Sequence, residues 1–379
     1  MEKLKYDIAI IGGGISAVTF AENIKKTNPN LTVGIFEKSC NNPYSKVLLP
    51  HYIKKIIPRE KVFIRTKEQL QEKNIDYNTN QMVSSIDVND KTFLSSNYKV
   101  TYSKLVIASG GEANQINGIQ GGYYLQTIED ADTLVTKLEN TKQKEKTIVI
   151  GGGFISFEFF QIFNKYSFKT TNLVQGGLYF PNLAPEKLTL PLKKILEQNL
   201  IEIKSINLVT DVNENFVTFD HQTINSAITG IGAGVTRLNN FFGKIEQGVK
   251  TNEYLETEHK DVFAIGDIAI VTTNDSTRIT GNWNNAIQQG LWLSKYLSDQ
   301  TKTKYSFNKT TDYTTNFFGN VLSFIGITNQ RLVTNKIVLS KDNTFVAECF
   351  INKKLVGAVL LNSANLRTLY QEKVNLKAD

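Results

Sequence analysis

Two glycine clusters, 139 residues apart, have the spacing that binds the pyrophosphate of a dinucleotide. The clusters are Gly12-x-Gly14-x-x-Ala17 and Gly151-x-Gly153-x-x-Ser156. In such a loop the first glycine permits a tight turn and the second lets a phosphate approach the backbone. The small third residue lets the following helix pack closely, with its amino terminus toward the phosphates. The two clusters predict two dinucleotide sites in one chain.

The residue that ends the next strand differs between the clusters. Glu37 follows the first, and a carboxylate there can accept hydrogen bonds from an adenosine ribose. Gln175 occupies the corresponding place in the second, where it can bond a ribose hydroxyl without repelling a 2′-phosphate. We therefore expect NADH at the second site, with NADPH less favoured. Two dinucleotides indicate hydride transfer between a nicotinamide and a flavin.

An internal repeat positions these residues. Residues 8–17 read IAIIGGGISA and residues 147–156 read TIVIGGGFIS. Each copy predicts an apolar strand, a glycine turn and an apolar helix, followed by strands at 31–36 and 170–174. The repeat therefore predicts an α/β fold with two Rossmann-like dinucleotide-binding domains.

The rest of the chain predicts further elements and a small α+β domain at the carboxyl end. We expect the first dinucleotide domain to be discontinuous, at 1–112 and 235–310, with the second inserted at 113–234 and the last domain at 311–379. Strands are predicted at 83–86, 92–94, 104–108, 201–204, 206–210, 216–219, 321–327, 336–339, 344–351 and 355–361, and helices at 128–138, 185–198, 284–297 and 363–372.

Composition narrows the class of protein. The 379 residues carry a net charge of +7, but the basic residues are scattered, which favours a lysine-rich surface over a nucleic-acid site. No run of eighteen apolar residues predicts a membrane span, and the amino terminus lacks a signal-peptide pattern, so we expect a cytoplasmic protein. Cys40 and Cys349 form no close pair, which argues against a metal ribbon or dithiol chemistry.

Six segments together resemble the FAD-dependent pyridine nucleotide-disulphide oxidoreductases, and within them the ferredoxin and rubredoxin reductase branch. They are GGGISA with Glu37, Pro43-Tyr44-Ser45-Lys46, LVIASGG at 105–111, GGGFISFE at 151–158, TNEYLETEHKDVFAIGD at 251–267 and GNWNNAIQQG at 281–290. The resemblance covers nearly the whole chain. Tyr44-Ser45-Lys46 stands where disulfide reductases place their cysteines, which implies a branch without the redox disulfide.

The resemblance implies a role for each matching residue. Asp267 would bond the ribityl chain of FAD, Trp283 would lie by the pyrimidine end of the flavin, and the backbone of Val83 would meet the adenine. The expected FAD contacts are Gly12, Gly14, Ala17, Glu37, Lys38, Lys46, Val83, Ala108, Gly110, Asp267 and Trp283. The expected nicotinamide-dinucleotide contacts are Gly151, Gly153, Ser156, Gln175 and Gly232.

Lys46 and Glu158 are the expected catalytic residues, because the resemblance implies an ion pair between them beside flavin N5. No metal is expected. Hydride would pass from NAD(P)H to FAD, and electrons would then reach an acceptor. A basic chain favours a small acidic redox protein, such as rubredoxin or ferredoxin. The alternatives are transfer to oxygen, a quinone or a nitrite-reducing complex, and a slow FAD- and NADH-binding sensor. The last domain would cover the flavin or form a homodimer contact.

Overall fold

The computed structural model describes residues 1–116, 119, 121–142, 144–242, 246–272, 277–279, 281–306 and 312–376. The chain forms two compact units. The first unit contains Met1–Leu48, Ile57–Glu112 and Val235–Ser306, and the second contains Leu49–Ile56, Ala113–Gly234 and Phe307–Asp379. Each unit holds one of the two glycine clusters. The division into three domains stays a prediction.

A mixed sheet forms the centre of the first unit. Its parallel strands are Ile75–Asn78, Val33–Phe36, Glu2–Ile11, Tyr98–Ile107 and Val262–Ala264, in that order across the sheet. Thr92–Leu94 and Ser85–Asp87 extend it with antiparallel strands. The apolar run that ends strand Glu2–Ile11 is buried, as expected for a parallel strand covered on both faces.

Two long helices of the first unit pack closely together, Ile15–Thr27 and Trp283–Leu297. A Cβ on Gly290 would lie 2.7 Å from the carbonyl oxygen of Ser16, so glycine allows the two helix backbones to approach. The remaining helical segments of this unit are Lys46–Leu48, Arg59–Val62, Lys67–Gln71 and Gly266–Ile268. Its remaining strands are Leu238–Asn239, Glu246–Gln247, Val249–Thr251, Ala269–Thr272 and Thr277–Ile279. The short strands Glu112–Ala113 and Val235–Thr236 lie where the chain passes between the units.

The second unit contains a parallel sheet built on the second copy of the repeat. Its strands, in order, are Glu202–Ile206, Lys169–Gln175, Lys146–Ile150 and Ile228–Ile231. Helix Phe154–Lys165 connects Lys146–Ile150 to Lys169–Gln175, so both predicted strand–helix–strand repeats are confirmed. An antiparallel meander accompanies this sheet, with strands Val209–Val212, Phe216–Phe219 and Gln222–Asn225.

The carboxyl-terminal part of the second unit is an antiparallel sheet with one helix on it. The strand order is Tyr313–Phe317, Asn320–Gly326, Lys354–Leu361, Thr344–Ile351 and Thr334–Lys341. Tyr370 and Val374 of helix Arg367–Leu376 pack with Ile325 and Leu355 of this sheet. The other helical segments of the second unit are Leu49–Ile53, Ile128–Asn140, Glu186–Leu188, Thr189–Gln198 and Ala364–Leu366.

An aromatic cluster joins this carboxyl-terminal sheet to helix Phe154–Lys165 within the second unit. The ring of Phe157 meets that of Phe317 edge-on at 4.7 Å between centroids, and Phe154 meets Phe324 in the same way at 5.5 Å. Such contacts add about 0.5–1.5 kcal/mol per pair to the burial of the rings. The helix that follows the second glycine loop is therefore packed against the carboxyl-terminal sheet.

The prediction of one continuous strand at 206–210 is wrong. Strand Glu202–Ile206 ends there and a new strand begins at Val209, because the backbone N–H groups of Asn207 and Leu208 donate to the carboxylate of Asp220. Those bonds turn the chain between a parallel and an antiparallel sheet. Strand Tyr313–Phe317 was not predicted, since its polar residues hide the period of two.

Candidate functional site

The first glycine loop closes on the end of a neighbouring strand. Gly12 has a φ of +97°, in the left-handed region that favours glycine. A Cβ on Gly12 would lie 2.5 Å from the carbonyl oxygen of Ala108, which follows strand Tyr98–Ile107. Any other residue at position 12 would combine backbone strain with a collision. The loop can therefore stay this close to the sheet only with glycine.

Open space lies in front of the helix that follows this loop. Helix Ile15–Thr27 begins after Gly14 without a side-chain cap. Apart from its own chain neighbours, no atom of the described residues lies within 4 Å of the place that a Cβ on Gly14 would take, and the same is true at Gly110. Behind the loop, Ala17 is fully buried, so the helix lies against the sheet. Uncapped N–H groups at a positive helix end, facing open space, fit a pyrophosphate.

The carboxylate of Glu37 is held by the backbone beside this space. Its Oε2 accepts a hydrogen bond from the N–H of Gly13 at 2.6 Å, and its Oε1 accepts one from Ser39 at 2.9 Å. Each carboxylate oxygen can accept more than one hydrogen bond, so Glu37 retains capacity for ribose hydroxyls. The neighbouring Lys38 is exposed and forms an ion pair with Glu112.

Charged side chains of the first unit influence one another around Asp267. Burial raises the pKa of the Asp267 carboxyl, while Arg237 and Lys46 oppose that shift. Desolvation lowers the pKa of the Lys46 amine, and the charges of Asp267 and Glu37 oppose it. Although the Lys46 side chain is exposed, enough protein surrounds it to penalise its charge. The site thus combines a cation and carboxylates in a region of reduced solvation.

A buried glutamine fixes the turn that carries Asp267. Gly266 has a φ of +77°, and its N–H donates to Oε1 of Gln289 at 2.6 Å. Gln289 is fully buried, and within the described part of the chain its Nε2 has no hydrogen-bond partner. A buried amide donor without a partner is costly, so the site fits a bound group that brings an acceptor.

The remaining predicted residues of the first unit also have defined surroundings. Trp283 is the first residue of helix Trp283–Leu297, which Asn282 caps by accepting from the N–H of Asn285 at 2.7 Å. Val83 is buried, two residues before strand Ser85–Asp87. The amino end of the long helix can stabilise negative charge that develops near Trp283.

The second glycine loop repeats the construction of the first. Gly151 has a φ of +114°, and a Cβ there would lie 2.5 Å from the carbonyl oxygen of Gly232. Helix Phe154–Lys165 begins after Gly153 without a side-chain cap, and among the residues described, chain neighbours aside, no atom lies within 4 Å of the place that a Cβ on Gly153 would take. Ser156 is fully buried and would collide with any side chain at Gly232. This loop therefore also fits a pyrophosphate.

The end of strand Lys169–Gln175 is polar and carries no acid. The side chain of Gln175 is exposed, and its Nε2 donates to the carbonyl oxygen of Asn207 at 3.1 Å. Gly176 and Gly177 follow, both with positive φ. The amide oxygen of Gln175 can still accept a hydrogen bond from a ribose hydroxyl.

Glu158 has a charged partner within its own unit. Its Oε2 lies 3.5 Å from Nζ of Lys54, and both side chains are largely buried. Burial raises the pKa of Glu158, while Lys54 and His51 oppose the shift. Glu158 is therefore a buried acid and not a solvated helix residue. Lys46 belongs to the other unit, so its predicted pairing with Glu158 stays a prediction.

Two residues in these surroundings were missed by sequence reasoning. Lys54 precedes Glu158 by 104 residues, and nothing in its local sequence distinguishes it from a surface lysine. Gln289 lies on the same helix as Trp283, six residues further along. A buried-face position in an apolar helix was the only signal that could have identified Gln289.

The two cysteines and the possible metal ligands of the described residues form no site. Cys40 is exposed and Cys349 is buried, and both are free. Burial raises the pKa of Cys349 to about 12, which makes its thiol unreactive. Within the described ranges, no cluster of histidine, cysteine and acidic residues could hold a metal ion. Likewise, none of the described helices has the length and apolar character that a membrane crossing requires.

Curated proteins of related sequence are reductases and oxidases by name, and several are named for NADH or NAD⁺. The chain is 24% identical over 324 residues to an NADH oxidase of Enterococcus faecalis, covering 77% of this chain and 70% of that protein. It is 26% identical over 272 residues to an NADH-rubredoxin oxidoreductase of Clostridium acetobutylicum, covering 69% of this chain and 68% of that protein.

Solved structures match the fold over almost the full length. Putidaredoxin reductase, in its covalent complex with putidaredoxin, gives a TM-score of 0.86 at 16% identity, covering 99% of this chain and 96% of that one. The Clostridium acetobutylicum NADH:rubredoxin oxidoreductase gives 0.81 at 20% identity, covering 99% and 96%. The predicted fold class is confirmed. The family model described as pyridine nucleotide-disulphide oxidoreductase matches residues 6–290, and the chain therefore belongs to this family of flavoprotein NAD(P)H oxidoreductases.

Proposed function

We propose that the chain binds FAD in its first unit and a nicotinamide dinucleotide in its second, and transfers electrons from the second to an acceptor by way of the first. The observation that carries this proposal is the repeated loop construction. In each unit, a glycine with positive φ lies so close to a neighbouring carbonyl group that a Cβ would collide with it. The helix that follows has no side-chain cap, and its amino end faces open space. Membership of the family supports the assignment of FAD and NAD(P)H.

The first unit offers distinct groups to the parts of FAD. The N–H groups after Gly14 bind the pyrophosphate, Glu37 accepts from the adenosine ribose, and Asp267 accepts from the ribityl hydroxyls. Val83, Ala108 and Gly110 line the proposed FAD site with their backbone. When bound, FAD supplies an acceptor for two electrons from NAD(P)H and can release them singly or as a pair. Gln289 positions Asp267, because it holds the N–H of the preceding residue.

Lys46 is the proposed catalytic cation. Its ammonium lies in a region of reduced solvation, where a positive charge stabilises a nearby developing negative charge more strongly than in water. Glu158 is proposed to meet the dinucleotide near the start of helix Phe154–Lys165. The ammonium of Lys54 balances the negative charge of the largely buried Glu158 carboxylate.

The proposed dinucleotide is NADH, with a modest preference over NADPH. Gln175 carries no charge that would repel a 2′-phosphate, and its amide is already bonded to Asn207 through Nε2. An acid at this place would reject NADPH strongly, whereas a neutral amide would only favour the free hydroxyl.

The proposed acceptor is a small acidic redox protein of the rubredoxin or ferredoxin type. The net charge of +7 would accelerate the approach of such a partner. One structure of similar fold is that of putidaredoxin reductase joined to putidaredoxin. A second candidate is direct transfer to a small acceptor such as oxygen, favoured by the similarity to an enterococcal NADH oxidase.

An anaerobic stopped-flow experiment separates these possibilities. The FAD-loaded protein is reduced with NADH and then mixed with oxygen, a quinone, rubredoxin or ferredoxin. The proposal predicts rapid reoxidation by at least one of the two proteins, with a rate that falls as salt rises. Faster reoxidation by oxygen than by either protein would favour the second candidate.

A further inference from the structure

Arg237 extends from a short strand segment of the first unit toward the start of helix Trp283–Leu297. Its carbonyl oxygen accepts a hydrogen bond from the N–H of Gly248 at 2.6 Å, which fixes its backbone. Its Cγ lies 3.5 Å from the place that a Cβ on Gly111 would take. Its Nη2 lies so close to Gly281 that a Cβ there would collide with it. Glycine at position 281 therefore leaves room for the guanidinium two residues before the helix.

The guanidinium of Arg237 has a nitrogen without a partner. Its Nε is shielded from solvent and has no hydrogen-bond partner among the described residues. Cγ of Asp267 lies 3.7 Å from the Cβ place on Gly281, so the cation and the carboxylate flank the same glycine. Burial raises the pKa of Asp267, and Arg237 opposes that shift more strongly than Lys46 does. A shielded donor without a partner is costly, which points to a bound group that brings an acceptor.

The two long helices of the first unit show how far this guanidinium lies from the proposed pyrophosphate site. A Cβ on Gly290 would lie 2.7 Å from the carbonyl oxygen of Ser16, at the start of the first helix. Further along, the hydroxyl oxygens of Thr27 and Ser298 lie 2.7 Å apart, so the helices run in the same direction. Trp283 precedes Gly290 by seven residues, so the second helix begins about 10 Å before the first.

The sheet shows which half of FAD would extend that way. Glu37 follows strand Val33–Phe36 and Asp267 lies just after strand Val262–Ala264, on opposite sides of strand Glu2–Ile11. The adenosine ribose is proposed at the first of these residues and the ribityl chain at the second. The ribityl chain is bonded to flavin N10, and the ring acceptors nearest to N10 are N1 and the C2 carbonyl oxygen. These atoms therefore suit the unpartnered guanidinium that lies next to Asp267.

We infer that Arg237 is a further catalytic residue, whose guanidinium contacts N1 and the C2 carbonyl oxygen of the bound flavin. This inference rests on the proposed binding of FAD in the first unit. A hydride that arrives at N5 brings two electrons and one proton, so one negative charge remains, shared by N1 and the C2 oxygen. A guanidinium stays charged and pairs with that anion. Lys46 is proposed to assist the arrival of the hydride, whereas Arg237 sets how favourably the electrons are held.

The test measures the midpoint potential of the bound FAD by anaerobic equilibration with a redox dye. Arg237→Met removes the charge and keeps much of the side-chain length. It should make two-electron reduction less favourable by about ten- to a hundredfold in equilibrium constant, the usual effect of one hydrogen bond to a charged group. That change lowers the midpoint potential by about 30–60 mV. The affinity for oxidised FAD should fall by less than about threefold, because the oxidised ring carries no charge for the guanidinium to pair with.

Arg237→Lys keeps a cation and should recover most of the potential, and Arg237→Gln repeats the test should Arg237→Met fail to fold. Arg331→Met is the matched control, since Arg331 is exposed in the other unit and its loss changes the net charge equally. It should leave the potential unchanged. An unchanged potential in Arg237→Met, or equal losses of affinity for oxidised and reduced FAD, would overturn the inference and leave the proposed function intact. A parent protein that holds no FAD would overturn the proposed function of the first unit, and the inference with it.

Discussion

Removal of Lys54 should destabilise the second unit through the carboxylate that it leaves behind. Nζ of Lys54 lies 3.5 Å from Oε2 of Glu158, and the two side chains are only 11% and 26% exposed. Removing one partner of a buried pair typically costs about 3–5 kcal/mol. Because Glu158 retains some exposure, we expect Lys54→Met to cost about 2–3 kcal/mol near pH 7.5, at or slightly below the low end of that range.

The effect should depend on pH in a defined direction. Burial raises the folded-state pKa of Glu158 above its unfolded value, and the charge of Lys54 limits that rise. A raised carboxyl pKa favours the folded state fully below the unfolded pKa of about 4.3, and this contribution is lost as pH rises through the folded pKa. Lys54→Met raises the folded pKa further, so its penalty should be larger at pH 7.5 than at pH 5.

Thermal unfolding of the FAD-loaded protein at both pH values measures this effect. For a unit of this size, the expected loss corresponds to a fall in Tm of about 5–10 °C at pH 7.5. Glu158→Gln in the Lys54→Met background should recover most of it. Lys55→Met is the matched control, because the Lys55–Glu139 pair is exposed and contributes little. Equal Tm changes for the Lys54 and Lys55 variants, or a Lys54 effect independent of pH, would refute the reasoning.

Three further predictions concern turnover. Lys46→Met should retain FAD but slow its reduction by NADH by about a hundredfold, the usual loss for one preorganised stabilising group, and stopped-flow reduction at the parent rate would contradict this role. Cys40→Ser combined with Cys349→Ser should leave reduction and reoxidation near the parent rates, because Cys40 lies outside the segment where disulfide reductases place their cysteines and Cys349 is buried; slow reoxidation with intact folding would count against it. Steady-state kinetics should show a preference for NADH of less than about tenfold in kcat/KM, and Gln175→Glu should enlarge it by repelling the 2′-phosphate; a strong NADPH preference in the parent would be incompatible with that placement.

The parts of the fold set by short stretches of sequence were predictable. The positive φ at the first position of each loop needs a glycine, which Gly12 and Gly151 supply. The apolar strands beside them form the centres of the two parallel sheets. The turn at Asn207 was not predictable, because its cause is the carboxylate of Asp220, which lies in the turn between strands Phe216–Phe219 and Gln222–Asn225.

Contacts between distant elements account for what sequence reasoning missed at the site. Lys54 meets Glu158 only because helix Leu49–Ile53 returns to the second unit, far in sequence from its partner. Single-sequence patterns carry no information about such pairs.

The most direct test of the account identifies the bound flavin and its reductant in one preparation. The purified protein is denatured, and the released cofactor is analysed by mass spectrometry; a second portion is titrated with NADH under anaerobic conditions while the flavin absorbance near 450 nm is followed. The account predicts FAD, held without a covalent bond, and its full bleaching by about one equivalent of NADH, as a two-electron donor requires. FMN or no flavin, or FAD that NADH and NADPH both fail to reduce, would contradict the central claim.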